Sequence, residues 1–112
     1  MGVSAAWRST HGTHWQQVAA SSSGPVHVSV RLAAASGGTR LHLRLSGVRS
    51  GQRCSLVAVS RNGRTEVAGW WVASYSGAAE MTGTTSIARA DLARLEVVTD
   101  AGKTLAVVPV HA

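Results

Sequence analysis

Few side chains in this chain could do chemistry. Its 112 residues include five carboxylates (Glu66, Glu80, Asp91, Glu96 and Asp100), five histidines and one cysteine, Cys54. General acid–base catalysis needs two such groups brought together with their pKa values driven apart. No two of the carboxylates are close in sequence, and Glu66, Glu96 and Asp100 fall on solvent faces or turns. His11 and His14 have the spacing of a metal pair, but no carboxylate or cysteine stands nearby to complete a site, so they read as a solvated loop. Cys54 lies inside the apolar run Cys54-Ser55-Leu56-Val57-Ala58-Val59, where a buried thiol is inert. There is no Gly-x-Ser-x-Gly, no phosphate-binding glycine loop and no zinc spacing. The expectation is a protein that is not an enzyme, with no catalytic residue, no metal and no cofactor.

The elements that would position any site are strands. Leu41, Leu43 and Leu45 alternate with Arg40, His42 and Arg44, which places leucines on one face and bases on the other. The run from Cys54 to Val59, almost wholly small or apolar, suits a central strand. Arg61-Asn62-Gly63-Arg64 follows, and Asn-Gly predicts a two-residue type I′ hairpin turn with positive φ at both residues. The returning strand is Thr65 to Val72. With Arg61 opposite Arg64, Val59 faces Glu66, Ala58 faces Val67, Val57 faces Ala68, Leu56 faces Gly69 and Cys54 faces Trp71. Cys54, Leu56, Ala58, Val67 and Trp71 then share the core face, with Leu43 inward on the leucine strand. A slip of one residue would turn Trp71 outward. Of Trp70 and Trp71, one ring belongs to the core, and the other is expected to pack under a loop rather than serve as a ligand platform.

A second stripe concerns partners. In Val26-His27-Val28-Ser29-Val30-Arg31-Leu32 the aliphatic residues face inward. A loop over Ala33 to Gly38 joins this strand to the leucine strand, so His27 and Arg31 lie beside Arg40, His42 and Arg44. These five residues are the candidate interaction surface. The chain carries a formal charge of +6, which favours anionic neighbours, although this reflects a shortage of acids as much as a surplus of bases. Nucleic-acid binding calls for aromatic residues among the bases. None is expected on that face, so a nucleic-acid partner is not favoured.

The remainder of the chain sets the architecture. Hydrophobic residues make up 45% of the chain and charged residues 14%, a balance that folds. No apolar run is long enough to cross a membrane, and the first residues lack the basic start and apolar stretch of a signal peptide. Residues 1–24 read as a flexible stalk or leader, with an edge strand conceivable at Trp15 to Val18 and a break at Ser21-Ser22-Ser23-Gly24-Pro25. Residues 25–112 form the domain. Later elements are a short strand near Ala79 to Met81, a corner or helical turn over Ser86 to Leu92, and strands at Leu95 to Thr99 and Thr104 to Val110, with Pro109 marking an edge. The fold class is all-β: an immunoglobulin-like antiparallel β-sandwich of seven to eight strands.

Several blocks carry a resemblance: Leu41 to Val48, Gly51 to Val59, Arg61-Asn62-Gly63-Arg64 and Val67 to Val72. To these are added Tyr75-Ser76-Gly77, Leu95 to Thr99, Gly102 and Leu105 to Val110. Over residues 25 to 110 the chain resembles the C-terminal extracytoplasmic domain of actinobacterial zinc-finger, membrane-anchored anti-sigma factors. In that family an N-terminal cytoplasmic zinc domain holds a sigma factor inactive, a single membrane helix follows, and the outer domain senses a signal or gates proteolysis. The resemblance implies a non-enzymatic sensor or interaction domain outside the plasma membrane in a single-pass protein. It implies a protein partner, either a regulated protease or a cell-envelope component, and makes residues 1–24 the stalk. The family's His-x3-Cys-x2-Cys motif and membrane helix do not occur here. Sigma-factor binding in the family manner would therefore require a cytoplasmic domain that this chain lacks, as expected of a cloned outer domain with an added Met1-Gly2 or, the less favoured reading, of a free-standing relative. The alternative function is a basic β-domain that binds nucleic acid or another polyanion.

Overall fold

Among the described residues there are eight strands, most of them with alternating buried and exposed side chains. They are β1 (Gln16–Ser23), β2 (Val26–Ala35), β3 (Gly38–Ser46), β4 (Arg53–Ser60), β5 (Thr65–Val72), β6 (Ala79–Thr85), β7 (Leu92–Thr99) and β8 (Thr104–Pro109), with a 3-10 turn at Arg89–Asp91. The computed structural model describes residues 15–74 and 77–110. The stalk residues Trp7, Arg8, His11 and His14 and the pair Tyr75-Ser76 lie outside the described residues.

The strands form two antiparallel sheets, ordered β1-β2-β3-β6 and β5-β4-β7-β8. Pairing of β3 with β6 and of β4 with β7 is the B–E and C–F arrangement of immunoglobulin-like sandwiches, with β5 in the C′ place. Val28, Val30, Leu32, Leu41, Leu43 and Leu45 of the first sheet meet Cys54, Leu56, Leu95, Val97 and Val108 of the second in one buried core. At one corner β5 comes close to β6, and two glycines permit it. A Cβ on Gly69 would strike the Met81 thioether, and one on Gly83 would strike the Ala68 carbonyl oxygen.

The structure corrects the hairpin. The turn encloses three residues, Arg61, Asn62 and Gly63, between a paired Ser60 and Arg64. The Ser60 N–H donates to the Arg64 carbonyl at 2.8 Å, and the Gly63 N–H donates to the Ser60 carbonyl at 3.0 Å. Only Gly63, at φ +90°, has positive φ, so the turn is not type I′. The longer loop shifts the near half of the hairpin, so Val59 faces Thr65, Ala58 faces Glu66 and Val57 faces Val67. One extra residue on β5, Ala68, then forms a bulge opposite Leu56 and cancels the shift. Beyond it Leu56 faces Gly69 and Cys54 faces Trp71. The register expected from the turn therefore holds in the far half of the hairpin and fails in the near half. Val67, expected in the core, is 59% exposed beside outward-facing Val57, and Ala68 is buried in its stead.

Two further corrections concern extents. The expected loop Ala33 to Gly38 shrinks to Ser36-Gly37, because Ala35 pairs with Gly38. The domain boundary expected at residue 24 moves back as well, since Gln16–Ser23 pairs with Val26–Leu32 as β1 and only Gly24-Pro25 makes the turn.

Candidate interaction surfaces

The outer face of the first sheet carries the basic stripe. His27, Arg31, Arg40 and Arg44 are exposed, and His42 is half-buried. Register brings them together: Arg31 lies opposite His42, while His42 and Arg44 lie opposite Thr82 and Glu80 of β6. Two features of this face were not anticipated. The Glu80 carboxylate sits among the cations, accepting from His42 Nε2 at 2.8 Å and lying 3.7 Å from Arg44 Nε. Trp15, just before β1, places its ring 5.8 Å from that of His42, tilted by 55°. An aromatic ring therefore does stand on the basic face, contrary to expectation. Neither feature has a local signal: Glu80 depends on β6 lying beside β3, and Trp15 on how the chain enters β1 beside β2.

The outer face of the second sheet is apolar. Trp70 is 62% exposed, Val72 51% and Val107 42%. Pairing sets them in rows. Trp70 lies beside Ser55 and then Val98, while Val67 lies beside Val57, Glu96 and Val107. The Arg53 guanidinium stands 5.1 Å from the Trp70 ring centroid. Arg94 and Glu96 pair at 2.7 Å on the same face. Trp71 is the core ring, and Trp70, expected under a loop, stands on an open sheet face instead. The sequence did hold a signal for this surface. Apolar residues occupy both faces of β4 and β5; β4 is central, between β5 and β7, and its second face is uncovered, as is that of β5.

At the hairpin end, Arg61 and Arg64 border an open cleft of about 350 Å³ with Ser86 and Asp91. The Arg61 Nε–H donates to the Ala90 carbonyl at 2.9 Å. Next to the cleft, the Glu66 carboxylate accepts from the Ser86 N–H and the Ser86 hydroxyl, each at 2.6 Å, and from the Thr85 hydroxyl at 2.9 Å. The bonds from Ser86, then the one from Thr85 and the Arg64 charge, hold the Glu66 pKa below its ordinary value. This clasp ties the β4–β5 hairpin to the exit of β6.

Cys54 is fully buried, with Sγ 4.0 Å from the Gln52 carbonyl oxygen. Burial, and then the Asp100 charge, push its thiol pKa up and disfavour the thiolate. Leu43, Leu56 and Trp71 are buried with it. Among the described residues no group of three or more His, Cys, Asp or Glu side chains is placed to hold a metal ion, and no helix is long and apolar enough to cross a membrane. No protein-family model, curated protein or solved structure matches this chain.

Proposed function

We propose that this chain is a protein-interaction domain, the outer module of a membrane-anchored anti-sigma factor of the zinc-finger kind. The interaction reading rests on one observation: an indole 62% exposed within an apolar strip on an open sheet face. Such patches mark sites where another molecule docks. The anti-sigma reading rests on the sequence resemblance. Its blocks cover β3, β4, the hairpin, β5 and the β7–β8 pair, and they include Gly47, Gly63 and Gly102, each at positive φ. Likeness at positions that set turns supports a shared fold.

On this reading the domain stands outside the plasma membrane and carries out no reaction. A partner, either a protease or a cell-envelope protein, engages the Trp70 face and so governs access to the stalk. Release of the sigma factor follows from events in parts of the intact protein that this chain does not include. Removing residues 16–110 from the intact protein should change transcription from promoters that depend on the cognate sigma factor, read with a reporter. Unchanged transcription would contradict the reading.

A second reading, polyanion binding, is favoured by one observation: Trp15 stands beside His42 on the face that carries Arg31, Arg40 and Arg44. A polyanion binder loses affinity steeply with salt. Titrating the chain with random-sequence DNA at two salt concentrations tests this, and absence of binding at low salt excludes it.

A further inference from the structure

We infer that the Trp70 face takes an acidic protein segment, one that lays apolar side chains on Trp70, Val67 and Val72 and brings a carboxylate to Arg53. The inference rests on the interaction reading above and names its partner. Tryptophan and arginine are the residue types that dominate binding energy at protein interfaces, and here they occur stacked, with valines around them. Among the described residues Arg53 makes no ion pair, and its guanidinium is held by the ring alone. The nearby Asp100 carboxylate is engaged by the Gln52 side-chain amide at 3.3 Å. A guanidinium fixed in place and lacking a carboxylate is matched by a bidentate acid from outside.

Other occupants fit less well. A second copy would bring Arg53 and Arg94 toward their own duplicates on a chain of charge +6. A polyanion would meet Glu96 and valines rather than a run of bases. Strand addition at the sheet edges is hindered, because β5 is approached by β6 and β8 carries Pro109.

The test uses the labelled chain and two synthetic extended peptides with identical valines and leucines, one interleaved with glutamates and the other with lysines. NMR follows the Trp70 indole N–H and the Val67 and Val72 methyls. The acidic peptide should move these signals and leave Trp71 in place, with affinity falling as salt rises. Arg53→Ser should weaken binding about tenfold, and Val67→Ser should weaken it independently. Four results would overturn the proposal: equal binding of the lysine peptide, shifts confined to the Arg31–Arg44 face, no shift at millimolar peptide, or concentration-dependent shifts without peptide, which would indicate self-association. If the peptide fails while deletion of the domain alters transcription, the partner is misassigned and the interaction reading stands. If the peptide binds and transcription is unchanged, the anti-sigma role falls and the binding face stands.

Discussion

The Arg53 guanidinium lies 5.1 Å from the centre of the Trp70 ring, on the face opposite to the one where Trp71 meets the core. Two adjacent tryptophans therefore have opposite energetic roles. Trp70→Ala should cost no more than about 1 kcal/mol, the scale of an exposed cation–π contact. Trp71→Ala should cost about 3–5 kcal/mol through the cavity it leaves. Urea denaturation of the two variants checks this, and similar costs would place Trp70 in the core.

Cys54 should resist a bulky thiol reagent in the native protein and react on unfolding, because it is buried and its thiolate is disfavoured. Cys54→Ser should cost roughly 1–3 kcal/mol by burying a hydroxyl among apolar groups, and Cys54→Ala should cost less. Labelling kinetics with and without denaturant give the first result, and equilibrium unfolding gives the second.

The β5–β6 corner should be sensitive at Gly83 and tolerant at Gly69. A methyl at Gly83 meets the Ala68 carbonyl, which is backbone and cannot swing away, whereas one at Gly69 meets the flexible Met81 side chain. Gly83→Ala should lower stability by about 1–3 kcal/mol and Gly69→Ala by less. Thermal melts of the two variants, compared with the parent, decide it.

Glu66 gives the fold an acid-sensitive clasp. Its folded pKa lies below the ordinary 4.5, so its contribution is fully present above that value and is lost as pH falls through the lower folded value. Glu66→Gln should therefore narrow the stability difference between neutral and acid pH. Melting temperatures of both proteins across that range measure it, and parallel curves would show that the clasp contributes nothing.

A chain beginning at Trp15 should be more stable than one beginning at Val26. Without β1 the outer edge of β2 loses a partner that pairs along Gln16–Ser23. Equal stability would restore the boundary to residue 24.

Elements whose side chains alternate cleanly were legible. The leucine strand emerges from period-two patterning, the β4–β5 pair from an apolar run followed by Asn-Gly, and the fold class from many short strands with turns between them. The hairpin was half legible for a physical reason. Asn-Gly announces a turn but does not fix its length, and the added loop residue is cancelled by a bulge at Ala68 that leaves no local mark. Val67 was misplaced by that one residue. Ala33 to Ala35 and Gln16 to Ser23 were underestimated because alanines and serines pair through the backbone with little patterning of their own. The basic stripe could be read within β2 and β3, but Glu80 reaches it from a strand far away in sequence and Trp15 from just before β1.

On the proposed reading the Trp70 face is covered by a protein partner in the intact system. The most direct measurement is thiol footprinting of Val67→Cys and Arg31→Cys, each in a Cys54→Ala background. Reagent accessibility would be compared between the purified domain and the full-length protein in its own cells. A cysteine introduced at position 67 should label fast on the purified domain and slowly in cells, while one at position 31 should label alike in both. Equal labelling of position 67 in the two settings would contradict the reading.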